Sequence, residues 1–146
     1  MSTRSTTHFI AGEYEAAIVY RHADGYPEGH GKDLQEFFEA VEADTKDTRF
    51  GDPSYLASKL VVWLARKFAV TYDAENGYEP VSHANERPLD FISVGVCLQD
   101  PTDIEFLYEV DCSQADEKGR PLVRCYEVAY QGPSTVAKGP EVDIPA

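Results

Sequence analysis

Most of the residues that could do chemistry lie in one short segment of this chain. The sequence YRHADGYPEGHG at 20–31 contains three glycines, two histidines, an arginine and two tyrosines. It follows an apolar strand pattern at 16–20 and leads into a helix predicted to open at Lys32. Ordinary turns need only a few special residues, so this density predicts a shaped loop that presents groups to a ligand.

The segment has features of an anion site. A glycine-rich turn leading into a helix N-terminus can expose backbone N–H groups beside the positive end of the helix dipole, and glycines let a ligand approach the backbone closely. The neighbouring cations could contact phosphate, and the tyrosines could stack on a ring. The candidate ligand-binding residues are Arg4, Tyr20, Arg21, His22, Asp24, Gly25, Tyr26, Gly29, His30, Gly31 and Lys32.

The alternative is structural. The pattern is neither GxxxxGK[ST] nor GxGxxG, and the glycines with Pro27 could simply permit a tight strand-to-helix turn, with Tyr26 anchoring the loop. Arg4 joins the candidates because strand alternation puts it on the same side as His8, from where it could approach Tyr20 or His22. An edge-strand arginine that discourages aggregation is equally compatible with this position.

Metal binding and catalysis have less support. His22, Asp24 and His30 carry ligand atoms, but their spacing matches no established metal motif. No G-x-S-x-G elbow or other catalytic signature occurs, and Cys97 has no evident cation to stabilise a thiolate. We predict no metal and no cofactor, and we favour a non-catalytic protein while leaving catalysis open.

The composition restricts the partners. A net charge of −13 would repel duplex nucleic acid, which binds Lys and Arg, whereas a basic protein surface would be attracted. No apolar run approaches the roughly 20 residues of a membrane span, and the N-terminus lacks a signal-peptide apolar region. The expectation is a cytoplasmic protein without direct nucleic-acid or membrane binding; a homo-oligomer is left open.

The apolar periodicity predicts the element order β-β-α-α-β-β-β. Strands are expected at 2–10, 16–22, 92–98, 104–112 and 122–130, helices at 32–44 and 53–69, and a long loop at 73–90. Segregated strands and helices predict one α+β domain over 1–130, with a mainly antiparallel sheet of about five strands and two helices on one face. Residues 131–146 are expected to form an extended or disordered tail.

The N-terminal part resembles a protein family of bacteria and their phages. The resemblance is carried by Thr3-Arg4-Ser5-Thr6 and by Tyr20 with the Asp-Gly-Tyr-Pro-Glu-Gly-x-Gly loop at 24–31. It covers roughly the first forty residues and carries no catalytic residue over. It implies a small intracellular protein, often borne by mobile elements, with Arg4 and the loop as its shared surface.

Three functions follow as hypotheses. The first is a non-catalytic protein that sequesters a small anionic, nucleotide-like ligand and, if phage-encoded, counters host defence signalling. The second is an acidic inhibitor that imitates nucleic acid towards a basic protein partner. The third is a hydrolase acting on a nucleotide, with His22 as a candidate base.

Overall fold

The computed structural model describes residues 2–77, 89, 93–132 and 135–146. Two strands come first, β1 (Ser5–Ala11) and β2 (Tyr14–Arg21), and a π-helical turn (Pro27–Gly31) follows them. The helices are α1 (Lys32–Asp44) and α2 (Pro53–Glu75). The remaining strands are β3 (Val94–Cys97), β4 (Phe106–Ala115), β5 (Pro121–Gly132) and β6 (Thr135–Val142).

The described strands form one six-stranded sheet in the order β3-β2-β1-β4-β5-β6. β1 and β4 pair in parallel, from Ser5 opposite Phe106 to Ile10 opposite Asp111, and the other pairings are antiparallel. The α+β class with two helices is therefore confirmed. The predicted sheet of about five strands, mainly antiparallel, needs two corrections: Thr135–Val142 adds a sixth strand beside β5, and the parallel β1–β4 pair makes the mostly antiparallel sheet mixed.

A local capping signal sets the start of α2. The Asp52 carboxylate caps α2 by accepting a hydrogen bond from the Tyr55 N–H, and Pro53 occupies the first turn, as the sequence predicts. α2 then continues to Glu75, beyond the predicted end at 69. Of the predicted long loop, residues 73–75 belong to α2, and residues 78–88 and 90 lie outside the described residues.

A single core joins the helices to one face of the sheet. The strand register places Thr7, Val19 and Tyr108 side by side on this face. Phe9, Val19 and Tyr108 are buried in the same cluster as helix residues that include Phe37, Leu60 and Leu64. Neither helix in the described part of the chain has both the length and the apolar character that a membrane crossing requires.

The C-terminal residues dock on the start of α1. Ile144 packs against the core, and the Gln35 side-chain amide donates to the Pro145 carbonyl at 3.0 Å. Gly31 provides the room, because a Cβ on it would lie 2.6 Å from Cγ2 of Ile144. The end of the chain thus helps to hold the loop that precedes α1.

This contact can be tested with a double-mutant cycle. Gly31→Ala should lower the free energy of unfolding by about 1–3 kcal/mol, as overpacking does, measured by urea denaturation. In an Ile144→Ala background the same change should be neutral or stabilising, because Gly31 has helical dihedral angles (φ −60, ψ −43) that suit alanine. Equal effects in both backgrounds would show that Ile144 does not pack on Gly31.

Candidate functional site

Arg21, at the end of β2, is the buried centre of the loop region. Only 2% of the residue is exposed. Its Nη1 donates to Asp33 Oδ2 at 2.6 Å and to His30 Nδ1 at 3.0 Å, and its Nε donates to the Ala23 carbonyl at 2.6 Å. The guanidinium also lies 5.0 Å from the centre of the Phe68 ring. One side chain therefore connects β2, the loop and both helices.

His30 is held as a neutral imidazole. Its Nδ1 must accept from Arg21, because a guanidinium can only donate. The proton therefore sits on Nε2, which donates to the Thr7 hydroxyl at 2.7 Å. Complete burial and then the charge of Arg21 lower the pKa of His30 well below 6.5. This histidine supplies no positive charge to a ligand.

Two of the loop glycines are required by contacts inside the chain. The Gly25 N–H donates to the Thr3 carbonyl at 2.9 Å, and the Gly25 carbonyl accepts from the buried Tyr108 hydroxyl at 2.7 Å. A Cβ on Gly25 would lie 2.7 Å from Cβ of Ser5, and one on Gly29 would collide with the Asp24 carbonyl. The loop is glycine-rich because it packs tightly against its own chain.

Several amides that the anion hypothesis needs are already used. The Gly29 and His30 N–H groups both donate to the Tyr26 carbonyl at 2.9 Å, and the Lys32 N–H donates to the Gly29 carbonyl. The cause is the π-helical turn, which runs directly into α1. Lys32 therefore continues the π-helical turn and does not begin a free helix N-terminus. The amides of Gly29, His30 and Lys32 are bonded within the turn and are not available to a ligand.

The sheet separates the sequence candidates into two sets. Ser5 pairs with Arg21 and Thr6 with Tyr20, so Arg21 points towards the helices and Tyr20 points to the opposite face. On that face the Tyr20 hydroxyl bonds to His22 Nδ1 at 2.9 Å, and Arg4 pairs with Asp103 at 3.3 Å. A small ligand cannot contact both sets.

On the helix side, the loop borders a cleft of about 320 Å³. Tyr26 is 38% exposed at this site, and Lys32 is exposed beside it. The residues around this "loop cleft" are Arg21, Asp24, Tyr26, Glu28, Gly29, Lys32, Asp33, Glu36, Lys67, Phe68 and Thr71. The loop cleft gathers six of the sequence candidates: Arg21, Asp24, Tyr26, Gly29, Lys32 and, beneath it, His30 through its bond to Arg21.

The far wall of the loop cleft comes from α1 and α2. Lys67 Nζ binds Asp33 Oδ1 and lies 3.4 Å from Glu36 Oε2. Lys67 is not among the sequence candidates, because no local spacing relates it to a loop more than thirty residues earlier. Around the loop cleft stand four carboxylates and three cations, and two of those cations, Arg21 and Lys67, are already paired.

A second polar cluster lies on the opposite face of the sheet. His8 binds Asp100 through Nε2 and Glu15 through Nδ1, both at 2.8 Å, and the Thr6 hydroxyl donates to Asp100 at 2.6 Å. Burial lowers the pKa of His8, but the bonds and charges of Asp100 and Glu15 outweigh it and raise the pKa above 6.5. With both nitrogens engaged, His8 is not placed to act as a base.

The environment of each cysteine disfavours its thiolate form. Burial raises the pKa of Cys97, raises that of Cys112 to about 12 and raises that of Cys125 to about 11. Among the described residues, no group of three or more His, Cys, Asp or Glu side chains is arranged to hold a metal ion.

Comparison of the chain with family models, curated proteins and solved structures finds no match.

The Arg21 network should dominate the stability of the loop region. Arg21→Met leaves the buried Asp33 carboxylate with one partner fewer, so we expect a loss of about 3–5 kcal/mol in the free energy of unfolding. The control Arg66→Met, at an exposed position, should change it by less than about 0.5 kcal/mol. Adding Asp33→Asn to Arg21→Met should recover part of the loss. If Arg21→Met lowered the free energy of unfolding no more than Arg66→Met does, the stabilising role of Arg21 would be contradicted.

The buried His30 and the partly buried His8 should give opposite pH dependences of stability. The pKa of His30 is lower in the folded state, so its contribution is present above pH 6.5 and falls by about 1.4 kcal/mol per pH unit below it, until the folded pKa is reached. The pKa of His8 is raised, so its contribution is present below pH 6.5 and is lost as pH rises through the folded value. Urea unfolding between pH 5 and 8 measures both. His30→Gln should remove the acid-side loss, and an unchanged profile in that variant would refute the assignment.

Proposed function

We propose that this protein is a non-catalytic binding protein that holds a small nucleotide-like anion in the loop cleft and removes it from solution. As part of the same proposal it acts in the cytoplasm, of a host cell if it is phage-encoded. The resemblance of its first forty residues to a family of bacteria and phages motivates sequestration of a host defence signal as the purpose.

The size and lining of the loop cleft support this proposal most directly. Its volume of about 320 Å³ is at the lower end of the range of roughly 300–1,000 Å³ for small-ligand sites. The exposed ring of Tyr26 offers a stacking surface, which proteins use for nucleobases. Lys32 is exposed beside Tyr26 and supplies an ammonium group for a phosphate, whereas Arg21 and Lys67 are already paired with carboxylates.

The charges of the loop cleft restrict the class of ligand. The lining of the loop cleft has four carboxylates and three cations. A ligand with several negative charges would therefore be repelled. Carboxylates do accept hydrogen bonds from ribose hydroxyls and amino groups. The combination favours a nucleotide whose phosphate is a diester with a single charge, such as a cyclic nucleotide, over a triphosphate.

Calorimetry with a nucleotide panel tests this proposal. Cyclic mononucleotides should bind with one ligand per chain, and ATP should bind at least about 10-fold more weakly, a difference of about 1.4 kcal/mol. Tyr26→Ala and Lys32→Gln should each weaken binding by about 10-fold, through lost stacking and a lost charge-assisted bond. Tyr26→Phe and Lys118→Gln, the latter at an exposed hairpin position, serve as matched controls that should bind normally.

The same titration separates the alternatives. Absence of heat across the panel would rule out the proposal. If a hydrolysed nucleotide were recovered after the titration, and if His22→Ala abolished this hydrolysis, the protein would instead be a nucleotide hydrolase.

An acidic inhibitor is favoured by a different observation, the carboxylates on the outer side of α1. Glu36, Glu39 and Asp44 are exposed there, and Glu42 is bound to Arg120 at 2.7 Å, close to exposed Asp116 and Glu117 of the β4–β5 hairpin. This function would be favoured if no nucleotide gave heat in the titration and if the protein bound a basic nucleic-acid-binding domain with an affinity that falls as salt is added.

A further inference from the structure

A second cavity, here called the "helix groove", lies between α1 and α2 and has a volume of about 360 Å³. Phe37 and Val41 from α1 and Val62 and Trp63 from α2 form its apolar lining. Phe37 and Val41 are four residues apart and so lie on one face of α1, and Val62 and Trp63 line the opposite wall from α2. Val62 is 61% exposed, so the helix groove offers apolar surface to solvent.

Two cations flank this apolar surface. Lys59 and Arg66 both line the helix groove, and their separation of seven residues puts them on one side of α2, about 10 Å apart along its axis. Neither has a carboxylate within ion-pair distance in the part of the chain that the structure describes. By contrast, the neighbouring Lys67 is paired with two carboxylates.

The lack of pairing is notable because the chain has 26 acidic and only 13 Lys and Arg residues. Lys59 lies over the Tyr55 ring, 5.4 Å from its centre, and Arg66 is exposed. One carboxylate, Asp44, also lines the helix groove. The local charge is therefore positive by one, in a protein whose net charge is −13.

We propose that the helix groove binds a small amphipathic anion, with an aliphatic or aromatic body and one carboxylate or sulfonate. The body lies on Val62 and Trp63, where its burial contributes about 25 cal/mol per Å². The head group pairs with Lys59 or Arg66. This site shares no lining residue with the loop cleft, so it does not depend on the function proposed there.

Electrostatics favours a small monoanion over an acidic partner helix. An acidic helix would bring several negative charges over the whole α1–α2 surface, including the exposed carboxylates of α1, and would be repelled. A single charge between Lys59 and Arg66 is screened from distant carboxylates, because the Debye length is about 8 Å at physiological ionic strength. A neutral apolar ligand would gain nothing from either cation.

The single tryptophan of the chain, Trp63, lies in the helix groove, so its fluorescence reports occupancy directly. We expect anilinonaphthalene sulfonate and octanoate to give a saturable change in Trp63 emission with one ligand per chain. The matched neutral compounds, N-phenylnaphthylamine and octanol, should bind at least about 10-fold more weakly, the loss expected for one charge-assisted contact. Equal binding of the neutral compounds, or no saturable change, would overturn the proposal.

Paired variants test the role of the two cations. The double variant Lys59→Gln/Arg66→Gln should weaken binding of the sulfonate by about 10-fold or more. The control Lys32→Gln/Lys118→Gln removes the same charge elsewhere, including one lysine of the loop cleft, and should bind within about twofold of the wild type. Unchanged binding in the first variant would refute the assignment, as would stronger binding of an acidic helical peptide than of the sulfonate.

Discussion

The buried pairing of Arg21 with Asp33 is the constraint on which the rest of this structure depends. A guanidinium removed from water is costly unless its N–H groups are satisfied, and the fork geometry of arginine satisfies several at once. Here the partners belong to the loop, the π-helical turn and α1. The bonds from Arg21 fix the positions of Ala23, His30 and Asp33. The loop between them must therefore follow one tightly packed course along the end of β1. The close approach of Gly25 to β1 follows from that course.

Local signals predicted much of the fold and little of the site. The Asp52-Pro53 start of α2 could be predicted because capping residues act over a few positions. The parallel β1–β4 pairing and β6 could not, since nothing near Ser5 specifies Phe106. Strand alternation did carry one unused clue. It implied that Arg21 and Tyr20 point to opposite faces, and hence that the candidates could not all share one ligand. Composition alone could not say that Arg21 and His30 turn inward.

α2 relates the two cavities, because consecutive residues of this helix contribute to each. Lys67 faces the loop cleft and is neutralised by Asp33 and Glu36, whereas Arg66 faces the helix groove without such a partner. The loop cleft thus has more carboxylates than cations, and the helix groove has more cations than carboxylates. A strongly acidic chain can therefore have two sites that differ in the charge of the ligand they favour. The electrostatic potential in each site depends on which of its own charged residues are paired, and not on the net charge of the protein.

The parallel pairing of β1 with β4 also affects how the chain is made. One edge of β1 is covered at once by β2, but the other waits for residues that follow roughly one hundred positions later. At synthesis rates of about 5–20 residues per second, that interval lasts on the order of 5–20 s. During this time β1 presents an open backbone edge that a neighbouring nascent chain could pair with. A central strand of the finished sheet is therefore open along one edge while the chain is still being synthesised.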